Sequence, residues 1–205
     1  MILINVTKIR NFLLLIILIY PSLIWATEEN NKFKDTEKKE AWTENTKNYL
    51  SNLRSVSGSF SQLDNIGNIS KGSFWISKSG EVAFHYNAPS ETRIIYKKGY
   101  LYFKESLTKN YQNYRIENNP ISLFLNNDED VEKYINKAII DNNIGKFEVS
   151  LDNNNERNSL MIILDYPSPK LRQWKFIDQQ KKETNVFFSN IRSLENIPEE
   201  YFNTN

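Results

Sequence analysis

Cysteine is absent from this 205-residue sequence, and histidine occurs once, at position 85. The missing cysteines exclude a disulfide framework, a thiol nucleophile, an iron–sulfur cluster, a thiolate zinc site and an N-terminal lipidated cysteine. One histidine is too few for a His-rich metal site, and a Ser-His-Asp triad would depend on His85 alone. Because no G-x-S-x-G context surrounds a serine either, we expect no enzyme, no metal and no cofactor.

An excess of charge of one sign is also lacking. Lys and Arg number 26 and Asp and Glu 25, and without Lys8 and Arg10 the counts become 24 and 25. Nucleic-acid-binding domains normally carry a strong basic excess, so we expect no nucleic acid partner. The composition is 40% hydrophobic and 13% aromatic, with 12 Phe, 11 Tyr and 4 Trp. These values favour a folded, β-rich domain over disorder.

Long hydrophobic runs are limited to the N-terminal segment. Lys8 and Arg10 precede an apolar run over residues 12–20, Pro21 interrupts it, and Ala26 ends a plausible cleavage site. A spanning helix needs about 18 or more apolar residues, so the run favours a cleaved signal peptide over an uncleaved anchor. We expect residues 1–26 to be a signal peptide, residues 27–205 to form a single domain, and the product to be periplasmic.

The rest of the chain alternates between helical and strand periodicity. Residues 27–40 predict a flexible leader, and apolar spacing predicts a helix over 41–53. Residues 121–125, after Pro120, predict a short apolar helical turn. Residues 128–140 again show helical spacing, with acidic residues at the start. We predict loop over 191–202. Period-two alternation between turn signals predicts strands near residues 55–62, 69–77, 82–87, 92–97, 100–104, 147–151, 160–164, 171–177 and 184–189.

This order of elements predicts an α+β fold that is mainly β. Three helical segments are few for so many strands, so we expect a curved sheet, an incomplete antiparallel β-barrel closed by α-helices as a lid and enclosing an apolar cavity. The alternative for each aromatic residue is an ordinary place in the core, because alternation does not say which face points inward. Candidate residues for the cavity lining are Phe60, Phe74, Ile76, Phe84, Tyr86, Leu101 and Phe103. Trp75 is expected on the face opposite Phe74, and His85 is expected to be a solvated strand residue.

Seven segments, in order, carry the patterns of one known family. Residues 56–62 contain G-x-F-x-Q, residues 81–89 contain the F-x-Y-x-x-P type of strand, and residues 171–178 contain L-x-x-W-x-x-x-D. The other segments are 72–78, 98–102, 120–125 and 191–202. Together they make the chain resemble the LolA family of periplasmic outer-membrane lipoprotein carriers.

The resemblance implies a lipoprotein-carrier domain over residues 27–205 and a chaperone function in lipoprotein transport. Its cavity would bind the acyl chains of lipoproteins from an inner-membrane ABC transporter complex and deliver them to an outer-membrane lipoprotein acceptor. No covalent chemistry is implied, and we expect a monomer. The candidate lid residues are Ile121, Phe124, Leu125, Tyr134 and Ile135.

One position departs from the family pattern. After the second strand the family commonly has Arg followed by Pro, and the Arg is thought to hold the lid closed. This sequence has Lys78 and Ser79 there. Lysine offers a point charge rather than a planar fork of donors, so Lys78 is a candidate lid latch with altered strength, or only a turn residue.

Two other readings stay open on the same fold. One is the related outer-membrane lipoprotein acceptor, although such acceptors are normally anchored through a lipidated cysteine. The other is a protein that binds or senses apolar ligands such as lipids. Only transfer of a bound lipoprotein separates a carrier from these alternatives.

Overall fold

Eleven β-strands and two α-helices account for most of the described residues, which in this computed structural model are 20–53, 55–77, 79–108, 110–116, 128–153 and 156–204. The helices are α1 (Tyr20–Asn52) and α2 (Asp128–Ile135), and a 3₁₀ turn covers Glu199–Phe202. The strands are β1 (Val56–Leu63), β2 (Ile69–Ile76), β3 (Val82–Tyr86), β4 (Arg93–Lys97), β5 (Tyr100–Lys104), β6 (Gln112–Arg115), β7 (Ile139–Asp141), β8 (Ile144–Asn153), β9 (Glu156–Asp165), β10 (Leu171–Ile177) and β11 (Glu183–Ser193).

The chain divides into two compact units, Met1–Ala41 and Trp42–Asn205. The described residues of the first unit are helical, and Lys38 Nζ lies 3.9 Å from Asp35 Oδ1 one turn earlier. None of the helices in the described part of the chain has both the length and the apolar character needed to cross a bilayer. The second unit contains the sheet.

All eleven strands belong to one antiparallel sheet. Their order is β6-β5-β4-β3-β2-β1-β11-β10-β9-β8-β7, so the first and last strands of the chain pair at the centre. Phe60 of β1 lies opposite Gly72 of β2 on one side and Phe188 of β11 on the other. Among the described residues β6 and β7 form the two edges, and the sheet is not closed into a barrel.

Ring contacts across the sheet establish its curvature. Phe84 of β3 and Trp174 of β10 are four strand positions apart, which is about 19 Å along a flat sheet. Their ring centroids are nevertheless 6.3 Å apart, and Phe84 also reaches Phe188 of β11 at 6.4 Å. The sheet must therefore curl toward the face that carries these rings, which is the incomplete antiparallel barrel that the sequence predicted.

Side chains on the two faces of the sheet form separate apolar clusters. The concave cluster contains Phe60, Phe74 and Trp174, together with Trp42 from α1 and Ile135 from α2. The convex cluster contains Ala83, Ile95 and Phe202, with Trp75 and Tyr201 packed against it. Phe74 and Trp75 thus lie on opposite faces, as alternation along β2 predicts.

Three predicted boundaries are wrong. The helix predicted over 128–140 ends at Ile135, and Ile139–Asp141 instead form an edge strand paired with β8. Residues 27–40, predicted as a flexible leader, belong to α1. Pro21 is compatible with this helix because it lies in the first turn. N–H groups there have no acceptor within the helix, so the missing N–H of proline costs no hydrogen bond. β11 continues to Ser193 into the predicted loop, because pairing with β1 extends to Val56. β6 was not predicted.

Candidate functional site

Aromatic rings cover the concave face of the sheet. Phe60 packs edge-on against Phe84 and Tyr86, with centroids 5.0 and 4.9 Å apart. Phe188 packs in the same way against Phe74 at 4.8 Å and Trp174 at 4.9 Å. Edge-to-face contacts of this kind stabilise by about 0.5–1.5 kcal/mol beyond area burial. The face is therefore a connected aromatic surface that uses strands from both halves of the sheet.

Glycine in β2 makes room for this surface. A Cβ built on Gly72 would lie 2.7 Å from Cε1 of Phe60 and would also overlap the backbone carbonyl of His85. Phe60 lies opposite Gly72 in the β1–β2 ladder. A side chain at position 72 would displace the Phe60 ring or the neighbouring strand, so the small residue allows the ring to lie across the sheet.

One polar pair lies at the rim of the aromatic surface. Tyr86 donates a hydrogen bond of 2.6 Å from its hydroxyl to Oε1 of Gln62. Burial raises the pKa of Tyr86 to about 12. The tyrosine therefore remains neutral throughout the physiological range, and the surface around it stays uncharged.

Two helices cover part of the concave side. Ile135 of α2 is buried in the concave cluster, Tyr134 packs against that cluster, and α2 contacts β8. Lys47 of α1 places its Nζ 2.6 Å from Oε1 of Glu132 of α2. The hydrogen bond to Glu132 raises the pKa of Lys47. This exposed ion pair is a polar contact between α2 and α1.

A cleft of about 540 Å³ opens between the C-terminal end of α1 and β11. Phe188 lines the cleft and also belongs to the aromatic surface. The volume lies within the range of about 300–1,000 Å³ found for ligand pockets. Polar groups in the lining include Asp165, which pairs with Arg172 at 3.1 Å. The lining residues are Tyr49, Asn52, Leu53, Val56, Asp165, Lys170, Leu171, Phe188, Ser189, Asn190, Ile191 and Ser193.

The convex face holds the only histidine of the sequence, and the prediction that it is solvated is wrong. His85 is half-buried, 4.8 Å from the Trp75 ring and 6.0 Å from Tyr201, which itself stacks on Trp75 at 4.1 Å. Burial and then the nearby charge of Arg93 lower the pKa of His85, while a hydrogen bond to the Tyr201 backbone opposes them. The C-terminal segment covers the ring, which alternation along β3 alone could not indicate.

The structure brings most of the predicted lining residues together. Phe60, Phe74 and Ile76 are buried in the concave cluster, and Phe84, Tyr86 and Leu101 pack against it. Phe103 is half-buried opposite Gln112 of the edge strand β6 and does not belong to the described cluster. The predicted residues Lys78, Ile121, Phe124 and Leu125 lie outside the described residues.

Sequence reasoning missed two rings at the centre of the site. Trp174 and Phe188 are buried and contact each other as well as Phe84. Both occupy alternating apolar positions in β10 and β11, so period-two spacing could have suggested them. The sequence could not show that the curl of the sheet brings β10 and β11 close to β3, because no local pattern encodes that proximity.

The site offers apolar surface rather than reactive groups. Within the part of the chain that the structure describes, no cluster of three or more His, Asp or Glu side chains is placed to hold a metal ion. Nε2 of His85 has no hydrogen-bond partner among the described residues. An apolar group could bind against the aromatic rings by hydrophobic contact.

Fold and concave face together define the class of open, helix-covered half-barrels with an apolar interior. The chain belongs to the LolA family, because the family model for the outer membrane lipoprotein carrier protein LolA matches residues 51–205. The resemblance found in the sequence is thereby confirmed. This is a family of periplasmic lipoprotein carriers and not of enzymes.

Solved structures that match this chain share little sequence with it. An uncharacterized conserved protein from Thermus thermophilus is 7% identical, with a TM-score of 0.43 over 82% of this chain and 92% of that chain. The Pseudomonas aeruginosa MucA/MucB complex gives 11% identity and a TM-score of 0.41, over 82% of this chain and 60% of that chain. A DUF1329 family protein from Desulfovibrio piger gives 10% identity and a TM-score of 0.28, over 82% and 96%. A search of curated proteins finds no match.

Proposed function

We propose that this protein is a periplasmic chaperone that binds the acyl chains of lipoproteins released from the inner membrane and delivers them to the outer membrane. The observation that carries the proposal is the continuous aromatic surface on the concave face, where rings of β3, β10 and β11 meet. An apolar surface of this extent inside a curved sheet suits an acyl chain. The partners would be an inner-membrane ABC transporter complex and an outer-membrane lipoprotein acceptor.

Energetics explain why such a surface should be closed when it is empty. Burying an acyl chain is worth about 0.8 kcal/mol per methylene, so a 16-carbon chain gains on the order of 12 kcal/mol. A carrier whose cavity supplied the whole of this free energy would bind the acyl chain too tightly to release it. Here Phe60, Phe84 and Phe188 pack on one another, and cargo must first separate them. That cost subtracts from the apparent affinity and permits release.

We assign the lining and the lid on the same grounds. The lining residues are Phe60, Phe74, Ile76, Phe84, Tyr86 and Leu101, with Trp174 and Phe188 added from the structure. The cleft beside β11 would admit the first acyl chain, because Phe188 forms a wall of both cleft and aromatic surface. Tyr134 and Ile135 would move with α2 when the lid opens.

The direct test measures release of lipoprotein from membranes. The protein, expressed with its own N-terminal segment and purified from the periplasmic fraction, is added to spheroplasts that hold a labelled lipoprotein and a competent transporter. We expect the label to appear in the soluble fraction as a one-to-one complex with the protein. Absence of release with folded protein would contradict the carrier function and favour an apolar-ligand binding or sensing protein.

A photocrosslinking experiment tests where the cargo lies. Benzoylphenylalanine replaces Phe84 on the concave face or, as a matched control, Phe187, an exposed residue on the opposite face next to Phe188. We expect a lipoprotein adduct from position 84 and none from position 187. Equal adducts from both positions would overturn the assigned site. Transfer of the released complex to outer-membrane vesicles then separates a carrier from an acceptor.

A further inference from the structure

Apolar side chains project from loops at one end of the sheet. The β1–β2, β3–β4 and β5–β6 connections all lie at this end, because consecutive strands from β1 to β6 pair as antiparallel neighbours. Ile66 in the β1–β2 connection is 77% exposed, Ile69 at the start of β2 is 67% exposed, and Leu107 in the β5–β6 connection is 98% exposed. An exposed residue of this kind is ordinary when it stands alone, but three at one end of the sheet need an explanation.

The β1–β2 tip is a preformed turn. One carboxylate oxygen of Asp64 accepts hydrogen bonds from the backbone N–H groups of Ile66 at 3.0 Å and Asn68 at 2.8 Å. Its other oxygen accepts from Nδ2 of Asn68 at 2.9 Å. The turn therefore fixes the backbone at Ile66 while its side chain stays largely exposed, so little ordering is needed for it to meet a surface.

Free positive charge lies beside this tip. Lys181 and Lys182, in the β10–β11 turn, share a surface depression with Asp64 and Asn65. Neither lysine ammonium group has an ion-pair or hydrogen-bond partner among the described residues, and Lys71 next to Ile69 is also exposed and without one.

Three neighbouring carboxylates already have hydrogen-bond or ion-pair partners. Asp64 caps its own turn, Asp178 accepts a hydrogen bond from the backbone N–H of Lys182 at 2.8 Å, and Glu183 pairs with Lys175 at 3.0 Å. Glu105, near Leu107, has no such partner among the described residues. Asp64 and Asp178 keep their negative charge, because neutral N–H donors do not cancel it. Lys71, Lys181 and Lys182 still outnumber these two carboxylates, so a small excess of positive charge remains at the β1–β2 tip, where it complements phosphate groups.

We propose that this end of the sheet docks on a phospholipid bilayer, with Ile66 and Ile69 inserted below the phosphates of anionic lipids and with Lys71, Lys181 and Lys182 at the level of those phosphates. Leu107 would add a second, shallower contact. The apolar residues stand on separate tips and form no contiguous patch, so a protein partner would need a surface shaped to each tip. A fluid bilayer needs no such match, and lysine stems extend readily to its interface.

Two or three inserted side chains give weak and reversible attachment. A single myristoyl chain binds membranes with a constant of only about 10⁴ M⁻¹, and this end buries a comparable or smaller apolar surface. The proposal goes beyond the carrier function, because it assigns a membrane-binding role to residues that are not part of the aromatic site. Its test uses vesicles that contain no protein, so its outcome is independent of whether the chain carries lipoproteins.

Single labelled cysteines give the sharpest test, since the sequence has no cysteine of its own. The variants Ile66→Cys and Ile69→Cys are labelled with an environment-sensitive fluorophore and mixed with vesicles of phosphatidylethanolamine and phosphatidylglycerol. The matched control is Ile139→Cys, which is 60% exposed on the edge strand β7. We expect a blue shift at positions 66 and 69 and none at 139. No shift, or an equal shift at 139, would overturn the proposal.

Flotation of the unlabelled protein with vesicles provides the second measurement. The double substitution Ile66→Ser and Ile69→Ser should reduce binding by roughly tenfold or more for each residue removed, whereas Ile139→Ser should not. The double substitution Lys181→Ser and Lys182→Ser should weaken binding to phosphatidylglycerol vesicles and leave binding to purely zwitterionic vesicles unchanged. Added salt should likewise weaken binding of the unsubstituted protein to phosphatidylglycerol vesicles only. Vesicle binding that is absent unless another protein is present would also overturn the proposal.

Discussion

Trp42 donates a hydrogen bond of 3.0 Å from its indole Nε1 to the backbone carbonyl of Asp165, a residue 123 positions later in the chain. The ring is 1% exposed and lies directly over Gly145, where a Cβ would overlap it. Further along α1, the Tyr49 hydroxyl accepts a hydrogen bond of 2.8 Å from the Leu171 N–H. The C-terminal part of α1 is thus attached to both ends of the β9–β10 connection.

The Trp42–Gly145 contact predicts strong coupling between the two positions. Gly145→Ala should lower the free energy of unfolding by about 1–3 kcal/mol, because the added methyl group displaces the ring. Trp42→Phe should cost about 1 kcal/mol through the lost hydrogen bond. Urea unfolding measures both. In a Trp42→Ala background the Gly145→Ala change should cost much less, and an unchanged cost there would contradict the contact.

Tyr86 predicts a loss of stability at high pH. Its pKa is near 12 in the folded protein, while an unfolded tyrosine has a pKa near 10. Between these values the unfolded chain binds fewer protons than the folded one, so stability falls as pH rises from 10 to 12 and is unaffected below 10. The effect is on the order of 2–3 kcal/mol at pH 12.

Chemical unfolding at pH 9 to 12 checks this prediction. Tyr86→Phe should flatten the decline, although it should also cost about 1 kcal/mol at neutral pH because Gln62 loses its donor. The control is Tyr100→Phe, which alters an exposed tyrosine. A decline of the same size in the Tyr86→Phe variant would show that other groups cause it.

His85 predicts a separate loss of stability on mild acidification. Its pKa is lowered from 6.5 in the folded protein by burial and by Arg93. The unfolded chain therefore takes up a proton first as pH falls, so the stability present above about pH 6.5 decreases below that value. Because the sequence has one histidine, the NMR titration of its ring reports directly on the folded pKa. A folded pKa at or above 6.5 would contradict the burial, and His85→Gln should remove this part of the pH dependence.

We expect the Lys47–Glu132 ion pair to limit the mobility of α2. Glu132→Gln should raise amide hydrogen exchange in α2 by a few-fold and accelerate uptake of cargo, because α2 loses an ion pair with α1. The urea midpoint should change little, since exposed ion pairs contribute little to stability. Glu183→Gln is the matched control, because it breaks a similar pair with Lys175 within the sheet. Equal exchange in α2 for both variants would contradict this role.

Local patterns were sufficient for most of the strands. β5 and β10 have the predicted bounds, because turns border them: Lys98 and Gly99 precede β5, and residues 178–182 follow β10. The helix predicted over 128–140 extends too far at Ile139 for a physical reason. The helical spacing of apolar residues cannot reveal that residues 139–141 will pair with β8 as a strand. The extension of β11 has the same cause, because its pairing partner β1 lies more than 100 residues earlier in the sequence.

The sequence by itself determined the class of fold, the absence of thiol chemistry and the residues Phe60, Phe74 and Phe84 as candidates for one apolar face. These follow from composition, from period-two spacing and from motifs in order, all of which are local properties. Only the tertiary structure decided that Trp174 and Phe188 complete that face and that His85 is covered by the C-terminal segment. The first depends on the curvature of an eleven-stranded sheet, which arises from the summed twist and packing of all its strands. The second depends on a contact between β3 and the 3₁₀ turn, which are more than 100 residues apart in the sequence.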